Sequence, residues 1–242
     1  MNLYQDSDLS IREALSQAHA ETLDSFSAPG HWFSGRERTA IVVEARRARC
    51  RAGLQEAGPG EAATLHAELP DAVKRVAQQV AVSTNNLTRV FLDDAMAEGL
   101  SDGEYVEVVG VVSRAVNIDV FARGIGVSVR PLRVPAEGEP SHLRPRTARN
   151  EGAWVPTIPA GVRGAEEATL LYGTSDPQSA PFIYRALSLV PEEAAALIKL
   201  GGAQYVRIDN FMDLSFTYEP TLSRPQYELL AARVSALNEC FY

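Results

Sequence analysis

An all-α fold is what this 242-residue sequence predicts, and three observations carry the prediction. Apolar residues recur at spacings of three and four along most of the chain, as in helices with one buried face. Three of the apolar runs follow a serine that has Glu or Gln three positions later, the pattern of a capping box. Half of the 14 prolines are gathered between 127 and 177, so the helix-breaking residues are confined rather than spread.

The elements follow in order. Ile11, Leu15, Ala18 and Phe26 mark the stripe of a first helix. A second starts near Ser34, where Ser34-Gly35-Arg36-Glu37 forms the first capping box. A third follows Pro70, with Val73, Val76 and Val80 as its stripe. The polar run Ser83-Thr84-Asn85-Asn86 interrupts the pattern, which resumes at Leu87, Val90 and Phe91 and stops at Gly99. Ser101-Asp102-Gly103-Glu104, the second capping box, opens a long helix through Tyr105, Val108, Val109, Val112 and Val116 toward Gly124. Its β-branched residues make a strand the local competitor, but the spacing of three and four favours helix.

From 127 to 177 the helical period fades, and the stretch reads as an extended, partly ordered connector. Beyond it, APFIYRALSLVPEEAAALIKL is helical in pattern, with Pro191 in a first turn and Glu192 and Glu193 beside it, where the helix dipole favours acids. Ser223-Arg224-Pro225-Gln226 is the third capping box, and Leu230, Val234, Leu237 and Phe241 form the expected core-facing stripe of the last helix. The expected organisation is a helical domain at 1–126, a proline-rich linker at 127–177 and a helical segment at 178–242. Superposing Ser34 on Ser223 places Ile41 on Leu230, Ala45 on Val234 and Ala48 on Leu237, a faint internal likeness.

Composition narrows the function. A net charge of −8 disfavours nucleic acid, whose phosphates need a basic footprint. No run of 18 apolar residues exists to span a membrane, and the start MNLYQDSDLSIRE is acidic where a secretion signal is basic and then apolar, so a cytoplasmic location is expected. His19, His31, His66 and His142 are scattered without metal-ligand spacing, and no metal or cofactor is expected. Two cysteines, Cys50 and Cys240, argue for reduced thiols rather than a disulfide framework.

Could either thiol react? A reactive cysteine is a thiolate, stabilised by a nearby base, cation or helix N-terminus. Cys240 lies at the C-terminal end of its helix, where the dipole disfavours an anion, and Arg233 is the nearest obvious cation. On that ground alone it reads as a small buried filler. Cys50 lies in a run with six arginines from Arg36 to Arg51, set against Glu37 and Glu44; Arg46 and Arg47, one turn before it, would favour a thiolate. The plainer reading there is a solvated arginine face with an incidental cysteine. His31-Trp32-Phe33 reads as a packing plug, and Gly124-Ile125-Gly126 is half a nucleotide loop without a strand before it. Asn117 and Asp119 stand out as polar residues near the end of an apolar helix.

The stretch LSRPQYELLAARVSALNECFY resembles the signature helix of the alkylhydroperoxidase D-like (carboxymuconolactone decarboxylase-like) family, whose pattern is a glutamate, eleven residues, then Cys-x-x-Cys-x-x-x-His. Glu228 and Cys240 match the glutamate and first cysteine, and Phe241 and Tyr242 fill the two intervening places. RALSLVPEEAAAL resembles the helix before the signature in peroxidase-related members, and 100–126 the helical pair after it. The resemblance implies an all-α, homo-oligomeric fold and reduction of small peroxides by a thiol pair, with a thiol reductant and with the glutamate and histidine relaying protons. Cys240 and Glu228 are the catalytic residues it implies. The second cysteine and the histidine are not present, so this chain is expected to be weak or inactive as a peroxidase. A degenerate paralogue, a reading-frame artefact, and a selenocysteine encoded by UGA after Tyr242 are three explanations of that ending. A non-catalytic helical oligomerisation or binding protein is the alternative function, and a decarboxylase or lactone-processing role, needing no thiol pair, the third.

Overall fold

A computed structural model describes residues 3–56, 67–172, 180–219 and 221–240, the side chains of 165 and 208 excepted. His66, Phe241 and Tyr242 lie outside the described residues. Among those described there are nine α-helices and no strand: α1 Glu13–Ser27, α2 Gly35–Arg51, α3 Asp71–Val82, α4 Arg89–Ala97, α5 Asp102–Gly124, α6 Ala165–Tyr172, α7 Phe182–Arg185, α8 Pro191–Gln204 and α9 Arg224–Leu237. The all-α expectation holds.

The local signals act where they were read. Ser34 and Ser101 each accept a hydrogen bond from the N–H of the glutamate three residues on, and each glutamate accepts one from its serine's N–H. Ser223 donates its N–H to Gln226 Oε1 at 2.8 Å. Such pairs satisfy amides that a helix start would leave unbonded. The run after Val82 forms a short 3-10 turn, Thr84–Asn86, and Gly99 ends the α4 region at φ +102°, which only glycine adopts without strain.

Helices α2, α3 and α5 pack on one another, and α1 packs on α2 and α8. Ile41, Val42, Ala45, Val73, Val76, Val108, Val111 and Val112 build their shared core. Leu189, Val190, Ala194 and Leu200, from the segment that begins at 178, belong to that same core, and α8 packs against α1 and α5. The irregular part of the expected linker ends near 160, and α6 lies inside the predicted span. Val129, Val155, Thr157 and Ile158 are buried, so the two ends of the proline-rich stretch are packed in, while 131–150 between them is mostly exposed.

The basic face of α2 is the largest revision. Arg38, Arg46 and Arg49 are buried, not solvated. Arg46 makes a two-point contact with Asp119 of α5 at 2.8 Å, and Arg49 donates to the Ala81 carbonyl at 2.9 Å. Arg38 pairs with Glu107 of α5 and, at 2.8 Å, with Glu193 of α8. Arg114 of α5 holds the other Glu193 oxygen at 2.5 Å. Two guanidinium groups and two carboxylates thus meet in the interior, in the balance that buried charge requires.

Candidate functional site

Glu228 sits in the second turn of α9 with its carboxylate turned toward the body of the protein. Tyr205, just past α8, donates its hydroxyl to Oε2 at 2.5 Å, and Arg224 donates Nε–H to Oε1 at 2.5 Å. Those two donors hold the Glu228 carboxyl below its ordinary pKa. Tyr205 is pushed up to about 12, by burial and then by the adjoining carboxylate. Arg224 is itself buried and donates to the carbonyls of Asn210, Phe211 and Asp213. One arginine therefore ties the first turn of α9 both to Glu228 and to the preceding loop.

Cys240 lies past the other end of the helix. Its N–H donates to the Ser235 carbonyl at 2.9 Å, in a C-terminal turn that places Glu239 at φ +52°. The stretch from Glu228 to Leu237 alone covers about 13 Å at the helical rise of 1.5 Å per residue, so the two predicted residues are not brought together. The thiol is exposed rather than the buried filler expected from its helix. Among the described residues no hydrogen bond or ion pair is recorded at its Sγ. Cys50 is half-buried and donates its Sγ–H to the Glu56 carbonyl at 3.4 Å. The arginines thought to activate it are engaged elsewhere, Arg46 by Asp119 and Arg47 by Glu44.

The apolar stripe of α9 faces the opposite way from the expectation. Leu230, Val234 and Leu237 are 60%, 57% and 64% exposed, and Leu229 is exposed beside them. The reason is that Arg224 and Glu228, on the other face, have partners in the body of the protein, and they set the helix's rotation. Among the described residues no other helix packs closely along α9. The matching positions of α2, Ile41, Ala45 and Ala48, are buried beneath α3 and α5. Phe211, Met212 and Leu214, in the loop that Arg224 grips, are exposed as well.

The interior charge cluster is the arrangement that sequence reasoning missed. Burial pushes the Glu107 carboxyl up despite Arg38. Burial also acts to raise Glu193, but Arg114 and Arg38 together hold it below its ordinary value. Glu107 further accepts the Trp32 N–H at 2.7 Å, which makes the expected plug at His31-Trp32-Phe33 a structural tie as well. A Cβ on Gly110 of α5 would lie 2.5 Å from Glu193 Oε2, so only glycine leaves room for that carboxylate. The cluster is enclosed and internally balanced, and its role is to hold α8 on α2 and α5. Asp119, singled out in the sequence, turns out to be the partner of Arg46; Asn117 accepts from Gln204 at 2.5 Å.

Among the described residues no group of three or more histidine, cysteine, aspartate or glutamate side chains is placed to hold a metal ion. Nor, among them, is any helix long and apolar enough to cross a membrane. Comparison with family models, with curated proteins and with solved structures finds no match to this chain. The likeness to the alkylhydroperoxidase D-like family therefore rests on the motif residues themselves.

Proposed function

We propose that this chain is a helical self-association protein in which α9 docks on a second copy. The observation that supports this reading most is the outward stripe of Leu230, Val234 and Leu237 on a helix whose other face is anchored. A contiguous exposed apolar patch with a polar surround marks an interaction surface, and residues at i, i+4 and i+7 are how one helix addresses another. The occupant is a second copy for two reasons. The corresponding face of α2 is covered by helices of this same chain, so the faint internal likeness supplies a template for what α9 lacks. Of the three charged residues within α9, Arg224 and Glu228 are tied to each other, which leaves Arg233 alone to oppose the approach of an identical helix. Leu230→Glu and Val234→Glu variants test it by light scattering after gel filtration. Both should elute at a lower mass than the parent chain with unchanged helical circular dichroism; an unchanged mass would remove α9 from the contact.

A second reading is supported by the exposure of Cys240. In it, the chain reduces small peroxides weakly. The Cys240 thiolate attacks a peroxide oxygen, the O–O bond breaks, and the leaving alkoxide or hydroxide takes a proton to depart as alcohol or water, giving a sulfenic acid. An external thiol then displaces water to form a mixed disulfide, and a second one restores Cys240 while being oxidised itself. Glu228, held by Tyr205 and Arg224, is too far along α9 to act on that thiol within one chain. Peroxide consumption lost in Cys240→Ser but kept in Cys50→Ser is the expected result. Turnover intact in Cys240→Ser would point to chemistry that needs no thiol.

A further inference from the structure

A second surface, remote in sequence from α9, carries an excess of positive charge that the fold itself assembles. Arg149 and Thr157 exchange both backbone hydrogen bonds, at 3.1 and 3.0 Å, and so close a loop that turns through Gly152 at φ +93°. That loop carries Glu151 to Arg185 of α7, which pairs with it and also reaches the Thr157 hydroxyl at 3.4 Å. Arg163, in the 3-10 turn Gly161–Gly164 before α6, reaches the other Glu151 oxygen at 3.1 Å. Arg149 lies 4.0 Å from that same oxygen, and its Nη2–H donates to the Arg163 carbonyl at 2.8 Å, which fixes the two arginines relative to each other.

Three guanidinium groups thus surround one carboxylate. They line an open cavity of about 540 Å³ with Asn150 and the half-exposed ring of Phe182, over which the Arg185 guanidinium stacks at 4.5 Å. The Arg185 side chain is only 9% exposed, and its Nε–H is buried without a hydrogen-bond partner. A donor left in that state is costly unless something accepts from it. Glu151 neutralises one of the three charges, leaving an excess of two on the cavity wall. A planar guanidinium fork suits phosphate oxygens, and a phosphate monoester is close to doubly charged at neutral pH.

We propose that the cavity between the Arg149–Thr157 loop, the 3-10 turn and α7 binds a phosphate dianion, with Arg163 and Arg149 at its mouth and Arg185 at its base. Phe182 offers an apolar wall for the organic part of a monoester. The inference stands apart from the α9 reading, and each can fail without the other. The test is titration of the full chain with inorganic phosphate and with phenyl phosphate, read by calorimetry at constant ionic strength against chloride. Saturable binding is expected, weakened about tenfold or more in Arg163→Gln, which loses one charge-assisted donor set. Arg163 is largely exposed, so that substitution leaves the fold intact, and circular dichroism checks this. Tighter phenyl phosphate binding that Phe182→Ala abolishes would assign a monoester, and equal binding of the two probes would assign free phosphate. No saturation with either probe, or the same affinity in Arg163→Gln, would overturn the proposal.

Discussion

At the scale of single residues, the interior holds charge where sequence reading expects none. Removing Arg38 would leave Glu107 without its cationic partner and Glu193 with Arg114 alone. Loss of one member of a buried ionic group costs about 3–5 kcal/mol. Arg38→Ala should therefore lower the urea midpoint strongly, and pairing Arg38→Met with Glu107→Gln should recover part of the loss. If the double variant recovers nothing, the cost is one of volume rather than charge. His19 makes a second prediction. It is fully buried, with Tyr4 at 2.5 Å from Nδ1 and the Gln204 amide at 2.9 Å from Nε2, and burial holds its pKa down at about 4. The unfolded chain binds that proton near 6.5, so stability from a neutral His19 is present above 6.5 and lost as pH falls toward 4. The difference corresponds to about 3 kcal/mol. Urea unfolding at pH 7 and pH 4.5 should show a steeper fall in the parent chain than in His19→Gln. None of the long-range partners was legible: Arg38 finds Glu107 and Glu193 far along the chain, and nothing near Arg38 in sequence announces them. The one available sign was an acid inside a valine run, Glu107 in YVEVVGVV, and a glycine three residues later.

At the scale of elements, local chemistry was readable and rotation was not. The capping boxes at Ser34, Ser101 and Ser223 close as their spacing predicts, because both partners lie within one turn. Ser34→Ala should cost about 1 kcal/mol, measurable as a shift in denaturation midpoint without a change in slope. Gly110→Ala would normally stabilise a helix interior by about 1 kcal/mol. Here the added methyl meets Glu193, so the variant should be destabilised instead; a gain in stability would show that the Glu193 carboxylate has room to move. The period of α9 correctly gave a helix with one apolar face. It could not say which way that face points, because two polar residues, Arg224 and Glu228, find partners in the body and turn the stripe outward. In α2 the same pattern is buried because α3 and α5 are there to cover it.

At the scale of the whole molecule, helices α1 to α5 and α8 share one core, and α9 is attached to it through a buried arginine rather than through packing. The burial of Val155, Thr157 and Ile158 at the far end of the proline-rich stretch depends on non-local contacts that proline content does not reveal. The candidate thiol site was legible only as a spacing: Glu228 and Cys240 are where a motif would put them, yet the fold leaves them at opposite ends of a helix. Self-association through α9 requires that its outward face be covered in solution. Sedimentation equilibrium of the full chain across a range of concentrations tests that directly. Association through a two-fold contact, the commonest closed arrangement, predicts a mass that approaches twice the 26.3 kDa of one chain as concentration rises. A mass of 26.3 kDa at every concentration would contradict it.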